Sequence, residues 1–293
     1  MKDALPVLGP PVSPAGEVSP REAREKLRRL LRALEPRVAD GALVAFSGGM
    51  DSAFLLWACS QAAGGAGRGR VVALTTTSPS TPEEDRLDAE AFARSLGLAH
   101  LWRESREMEL VEYVRNQGER CYHCKVELFR IAGDMAREEG LKWILYGYNE
   151  SDRGDDRPGH RAAEEGGVLS PLADAGLSKE EIRFLMREAN LSLAEKPPSP
   201  CLGSRIMTGV PITAQRLSDV AAMEAILRDA GASIFRARVC RDQEGTDFLR
   251  VEVGPDDFQR VLMCRNELQE AGRKRGYRWV TLDLGGYRTG GGV

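Results

Sequence analysis

The stretch Leu43-Val44-Ala45-Phe46-Ser47-Gly48-Gly49-Met50-Asp51-Ser52 decides how this chain is read. A short apolar run enters two glycines, and Ala53-Phe54-Leu55-Leu56-Trp57-Ala58 beyond them reads as a helix. Strand, glycine turn and helix start form the frame in which backbone N–H groups and a helix N-terminus converge on an anion. The glycines allow a tight turn and a close backbone approach to a phosphate. Ser47 and Ser52 add hydroxyl donors, and Asp51 beside a phosphate suits a Mg²⁺ ion or a loop brace. An ordinary glycine-rich turn is the alternative. The GxxxxGK[ST] pattern of Walker-type loops does not occur.

Outward from this turn, strands are expected at 43–46, 71–74, 98–102 and 143–146. Helices are expected between them, at 83–96 and 122–139, and before them from Pro20, where Ser19 to Glu22 spells a capping box. Leu27, Leu30, Leu31 and Leu34 recur at helical spacing and mark that helix's packing face. Alternating strands and helices imply an α/β, doubly wound, mostly parallel sheet, whose ligands sit beyond the carboxyl ends of the strands. Ser47–Ser52 and the Thr75-Thr76-Thr77-Ser78 run both fall there. Residues 147–167 read as one long polar loop, and Ser178 to Glu181 as a further helix cap. Lys196-Pro197-Pro198-Ser199-Pro200-Cys201 can be neither helix nor central strand. A boundary near 205–213 divides a domain at 21–208 from a smaller α+β domain at 209–293. The latter carries helices at 214–230 and 256–271 and strands at 233–239, 248–253 and 278–284. Residues 1–20, with five prolines, read as an extended arm.

At 293 residues the length suits about two domains. A net charge of −3 argues against non-specific nucleic-acid binding. No apolar run is long enough to cross a membrane, and the N-terminus lacks the apolar centre of a signal peptide, so a cytoplasmic location is expected. Thiols stay reduced there, so the six cysteines read as ligands, reactive groups or core fillers before disulfides. Cys121-Tyr122-His123-Cys124 is a CxxC opening a helix, where thiolate is favoured. CxxC alone fits redox, zinc or iron–sulfur chemistry. No second CxxC supports a four-cysteine zinc site, and Cys201 in the proline-rich loop is the third candidate thiol. Three thiolates can hold three irons of a [4Fe–4S] cluster and leave the fourth open. The plain alternative is a structural CxxC with Cys201 unrelated. Cys59, Cys240 and Cys264 read as packing residues, and His100 and His160 as non-catalytic.

The phosphate turn resembles the PP-loop of ATP pyrophosphatases. Taken with ERCYHCK, DDRPG at 155–159, SPL at 170–172, KPPSPCLGSRI at 196–206, PIT at 211–213 and RWVTLDLGGYRTG at 278–290, it resembles the LarE family over residues 22–290. That family comprises ATP-dependent sulfur transferases that build the nickel-pincer nucleotide cofactor of lactate racemase. The resemblance implies pyridinium-3,5-biscarboxylic acid mononucleotide as substrate. A ring carboxylate would be adenylylated with ATP and Mg²⁺, sulfur would displace AMP, and the sequence would repeat on the second carboxylate. It implies ATP contacts from Ser47, Gly48, Gly49, Asp51, Ser52 and Thr75, with Asp51 catalytic. It also implies substrate contacts from Ser204, Arg205, Glu224, Arg236, Arg238 and Asp257. One type of member sacrifices a single cysteine. The type with three, matched here by Cys121, Cys124 and Cys201, carries a [4Fe–4S] cluster fed by a sulfide donor. A homo-oligomer, trimer or hexamer, is implied. A PP-loop tRNA thiolase and an amide-forming PP-loop ligase are the rival readings.

Overall fold

The computed structural model describes residues 18–64, 69–153 and 158–288. Most of the expected arm at 1–20, the first three residues of the DDRPG block and the Thr289-Gly290 end of the last motif lie outside the described residues. In chain order the elements are α1 (Pro20–Ala39), β1 (Ala42–Ala45), α2 (Met50–Ala62), β2 (Val71–Thr77), α3 (Glu83–Ser95), β3 (Ala99–Glu104), α4 (Val111–Val114), α5 (Arg120–Glu138) and β4 (Trp143–Tyr146). Then come α6 (Pro158–Glu165), α7 (Pro171–Asp174), α8 (Lys179–Glu188), α9 (Ala214–Asp229), β5 (Phe235–Arg241), β6 (Asp247–Val253), α10 (Phe258–Met263), α11 (Arg265–Lys274) and β7 (Val280–Leu282).

The first sheet is parallel throughout, in the order β3-β2-β1-β4. Its central strands alternate between two cores, as a strand buried on both faces must. Ala42 and Val44 of β1, with Val71 and Ala73 of β2, face the layer of α1, α2, α3 and α8. Leu43, Val72 and Leu74 face Ile131, Ala132 and Met135 of α5. The chain runs from β1 to β3 on one side and returns to β4 on the other. The order therefore reverses beside β1, and a crevice opens at the strands' carboxyl ends.

The second sheet, β5-β6-β7, pairs β5 with β6 antiparallel and β6 with β7 parallel. It packs on α9 and α11 around Leu217, Val220, Met223, Val239, Val251 and Leu268. Tyr113, Leu202 and Ile206 join this second core although they precede residue 209. Asn116, in a left-handed conformation at φ 54°, binds the Met207 and Val210 carbonyls at 2.9 and 3.0 Å. The segment after β3 is thus stapled to the chain entering the C-terminal domain.

Several local expectations are corrected. Residues 147–167 are not one loop: a 3-10 turn spans Glu150–Asp152 and α6 lies inside the segment. The Ser19 side chain makes no cap hydrogen bond, although the helix begins at Pro20 as expected. The helix expected over 256–271 is broken into a 3-10 turn, α10 and α11. By contrast, the Ser178–Glu181 capping box forms in full, with Ser178 Oγ accepting from Glu181 N at 3.2 Å. Among the described residues no helix is long and apolar enough to cross a membrane.

Candidate active site

The phosphate turn follows β1 directly. Gly48 sits at φ +75°, and a Cβ there would lie 2.5 Å from the Asp85 carbonyl oxygen, so both the turn and the neighbouring helix demand glycine. Gly49 caps α2. Ser52 Oγ donates to the Gly49 carbonyl at 3.0 Å and lies 3.2 Å from Ser47 Oγ, which fixes the loop. Gly147 closes on it from the end of β4, where a Cβ would come within 2.7 Å of Ser52 N. Lys196 braces the turn from the proline-rich segment: its ammonium donates to Gly48 O at 3.0 Å and pairs with Asp85 and Asp88 at 2.8 and 2.6 Å.

Asp51 is largely buried in the first turn of α2. Burial pushes its carboxyl up to about 6; Lys179 opposes the shift and Asp152 adds to it. Its Oδ1 is buried without a hydrogen-bond partner. An oxygen donor of this kind beside a phosphate cradle fits a hard divalent cation such as Mg²⁺. The Thr75 hydroxyl is already engaged, 2.6 Å from the Phe46 carbonyl and 2.8 Å from His100 Nε2. Burial lowers the His100 pKa.

A cleft of about 280 Å³ opens over this turn. Ser47, Gly49, Asp51, Ser52 and Thr75 line one end, and Glu107, Cys124, Lys125 and Cys201 the other. Cys121, one helical turn before Cys124, is exposed and outside the cleft wall. Burial and then the Glu107 carboxylate hold the Cys124 thiol well above the ordinary range. Burial also raises Cys201, although the Arg120 guanidinium opposes it. Donor chemistry suits an iron–sulfur group: Cys121 and Cys124 lie one turn apart at the start of α5, and Cys201 lines the same cleft as Cys124. Metal binding would deprotonate such thiols outright. As they stand, however, no three His, Cys, Asp or Glu side chains among the described residues are placed to hold a metal ion.

The residues expected to meet substrate lie behind the Cys201 loop, outside the cleft wall. Arg205 binds Glu224 through two bonds of 3.0 and 3.1 Å and also donates to the Pro200 and Cys201 carbonyls. Glu224 in turn accepts from Ala237 N at 3.2 Å. This buried pair pins the cysteine loop to α9 and β5. Ser204 Oγ donates to Cys201 O at 2.8 Å. Arg236 and Arg238, two apart on β5, both reach the same loop. Arg238 pairs with Glu252 at 2.7 Å and donates to Ser204 O at 2.9 Å. Arg236 donates to Pro198 O at 3.1 Å and lies over the Tyr287 ring. Asp257 is elsewhere: its Oδ2 takes Ser233 N, Ser233 Oγ and Ile234 N at 3.0, 2.9 and 3.0 Å.

Sequence reasoning passed over Glu107, Lys125 and Lys196. Glu107, 3 % exposed, accepts from Ser78 Oγ and Ser80 Oγ, each at 2.6 Å. It follows β3, and asking what leaves the carboxyl end of every strand in a parallel sheet would have found it.

A phosphate turn after a central parallel strand, with a cleft at the strand order's reversal, defines a PP-loop nucleotide-binding domain. The NAD synthase family matches residues 23–139. An uncharacterized protein of Synechocystis sp. is 36% identical over 253 residues, covering 86% of this chain and 91% of that protein. The pyridinium-3,5-bisthiocarboxylic acid mononucleotide synthase of Lactiplantibacillus plantarum is 30% identical over 248 residues, covering 84% of this chain and 87% of the synthase. An uncharacterized protein of Methanocaldococcus jannaschii is 25% identical over 247 residues, 84% and 90% of the two chains. The chain belongs to the family of that synthase, the LarE family of ATP-using PP-loop enzymes.

Proposed function

We propose that this chain is an ATP-dependent sulfur transferase acting on pyridinium-3,5-biscarboxylic acid mononucleotide. The observation that carries the reading is that the phosphate turn and the thiols of Cys124 and Cys201 open on one cleft. A nucleotide activated at one end is then within reach of sulfur delivered at the other. Ser47, Gly48, Gly49 and Ser52 hold the pyrophosphate end of ATP, and Asp51 holds Mg²⁺. The substrate carboxylate attacks the α-phosphorus and pyrophosphate leaves. Hydrosulfide then adds to the acyl carbon of the mixed anhydride, the bond to the adenylate oxygen breaks, AMP departs with the electron pair and the S–H proton is lost. Cys121, Cys124 and Cys201 would hold a [4Fe–4S] cluster, which supplies a docking point for exogenous sulfide and spares the protein's own sulfur. Arg236 offers a partly open guanidinium for the mononucleotide phosphate. Arg205, Glu224, Arg238 and Asp257 act through the loops they hold.

Protein purified anaerobically and supplied with iron, sulfide, ATP and the mononucleotide is expected to release pyrophosphate and form thiocarboxylate beyond one sulfur per chain. Its Cys201 should keep its intact mass. Alanine at any of the three cysteines should cost iron and product together. Conversion of Cys201 to dehydroalanine in step with product, with Cys121→Ala still active, would replace the cluster reading by sacrifice of Cys201.

A further inference from the structure

Gly147 is the point at which the chain beyond β4 meets the phosphate turn. A Cβ there would lie 2.7 Å from Ser52 N and 2.9 Å from Asp51 C, so this glycine backs directly onto the first turn of α2. It is the centre of a three-residue bend in which Tyr148 N donates to Tyr146 O at 3.0 Å. The two tyrosines flank it, their rings stacked at 5.9 Å and 23°. One imidazole reaches both. The His160 ring of α6 lies flat on Tyr148, 3.9 Å away and 6° from parallel, and its Nδ1 is hydrogen-bonded to the Tyr146 hydroxyl. Ser170 donates to that hydroxyl's oxygen, which directs the phenolic proton to His160 Nδ1. The imidazole's own proton is then on Nε2, 3.4 Å from Glu164 Oε1. Tyr148 is fixed in turn by its hydroxyl, which donates to Asp152 O at 3.0 Å.

Packing alone does not ask for these residues. Tyr146 and Tyr148 are 7 % and 6 % exposed, and phenylalanine would bury as much apolar surface with no hydroxyl to satisfy. The His160 acceptor adds direction, because it holds both ends of the bend that carries Gly147. Gly147 lines the cleft together with Ser47, Gly49 and Ser52. The backbone it presses on supplies the N–H groups that face a phosphate at a helix N-terminus. We propose that His160 is a positioning residue for ATP. Its bond to Tyr146 and its stack on Tyr148 hold Gly147 against the Ser52 amide, and so fix the turn that receives the pyrophosphate end. The proposal rests on the phosphate turn holding that end of ATP, and not on the fate of sulfur. His160 itself lies outside the cleft wall and touches no reacting group.

The test is equilibrium binding of α,β-methylene-ATP and of AMP to the full-length chain with Mg²⁺ present. It compares wild type, Tyr146→Phe, His160→Phe and the double variant. Each single change keeps a ring and removes one half of the hydrogen bond. Each is expected to weaken α,β-methylene-ATP about tenfold, while AMP, which lacks the pyrophosphate end, keeps its Kd within about twofold. Because both changes break one bond, the double variant should bind no more weakly than either single variant. A merely structural role would loosen both ligands together or add the two losses, and either result would overturn the clamp. So would folded single variants that bind the triphosphate as wild type does. Should one variant fail to fold, the other still decides, since each removes the same bond. Wild-type protein that binds no α,β-methylene-ATP would sink the phosphate-turn reading and the clamp with it. No thiocarboxylate from any sulfur source, with the selective triphosphate loss observed, would refute sulfur transfer and leave the clamp standing.

Discussion

Asp51 illustrates how one residue can oppose stability and serve chemistry. Burial lifts its carboxyl from the ordinary value near 3.8 to about 6, so the fold prefers the neutral form. Its contribution to stability is fully present below the unfolded value and is lost as pH rises through about 6. Above that pH the ionised group costs up to about 3 kcal/mol. Asp51→Asn is therefore expected to raise the melting temperature at pH 7–8 and to match wild type near pH 3–4. Pyrophosphate release should fail in the variant at every pH. A variant no more stable than wild type at pH 8 would mean the carboxylate is already compensated within the protein. Asp51 could be picked out from the sequence, since a carboxylate inside a glycine phosphate turn is chemically conspicuous. Glu107 could not. Nothing local marks it, and only the fold brings the Ser78 and Ser80 hydroxyls, each 2.6 Å away, onto its carboxylate.

At the scale of elements, the second sheet is held by charged groups that a sequence reader assigns to ligands. Asp257, 1 % exposed, ties the start of α10 to the turn before β5 through three bonds to Ser233 and Ile234, and pairs with Arg260 at 2.8 Å. Asp257→Asn is expected to cost roughly 1–3 kcal/mol in urea unfolding. Mononucleotide affinity in the folded fraction should stay within about twofold. A selective loss of affinity at unchanged stability would instead support a substrate role for Asp257. The strands and most helices were legible because period-2 and period-3.6 patterns are local. Residues 147–167 were not, because α6 is short and its polar residues outnumber the two alanines it buries. Its first turn also starts at a proline, which a reader takes for loop.

Across the whole molecule, the cleft joins two cores through one segment. Residues 196–206 brace the phosphate turn through Lys196 at one end and enter the second core through Leu202 and Ile206 at the other. Lys196→Met would leave the buried Asp85 carboxylate without its cation, at a cost of roughly 3 kcal/mol. It would also free the Gly48 carbonyl. Raised KM for ATP together with loss of iron retention is the expected pairing, read from pyrophosphate release and iron analysis. A change in ATP kinetics alone would show that the segment does not transmit between the two ends. The sequence holds the motifs at both ends but not their contact, because Lys196 and Gly48 are 148 residues apart.

That separation bears on how the chain is made. All four strands of the first sheet have left the ribosome once residue 146 is through, and domains fold as they emerge. Lys196 and Cys201 arrive later. A growing chain thus completes its nucleotide platform before it owns either the latch on the phosphate turn or the thiol at the far wall. A chain cut short before residue 196 lacks the Lys196 brace on the Gly48 carbonyl and the Cys201 thiol in the cleft wall together.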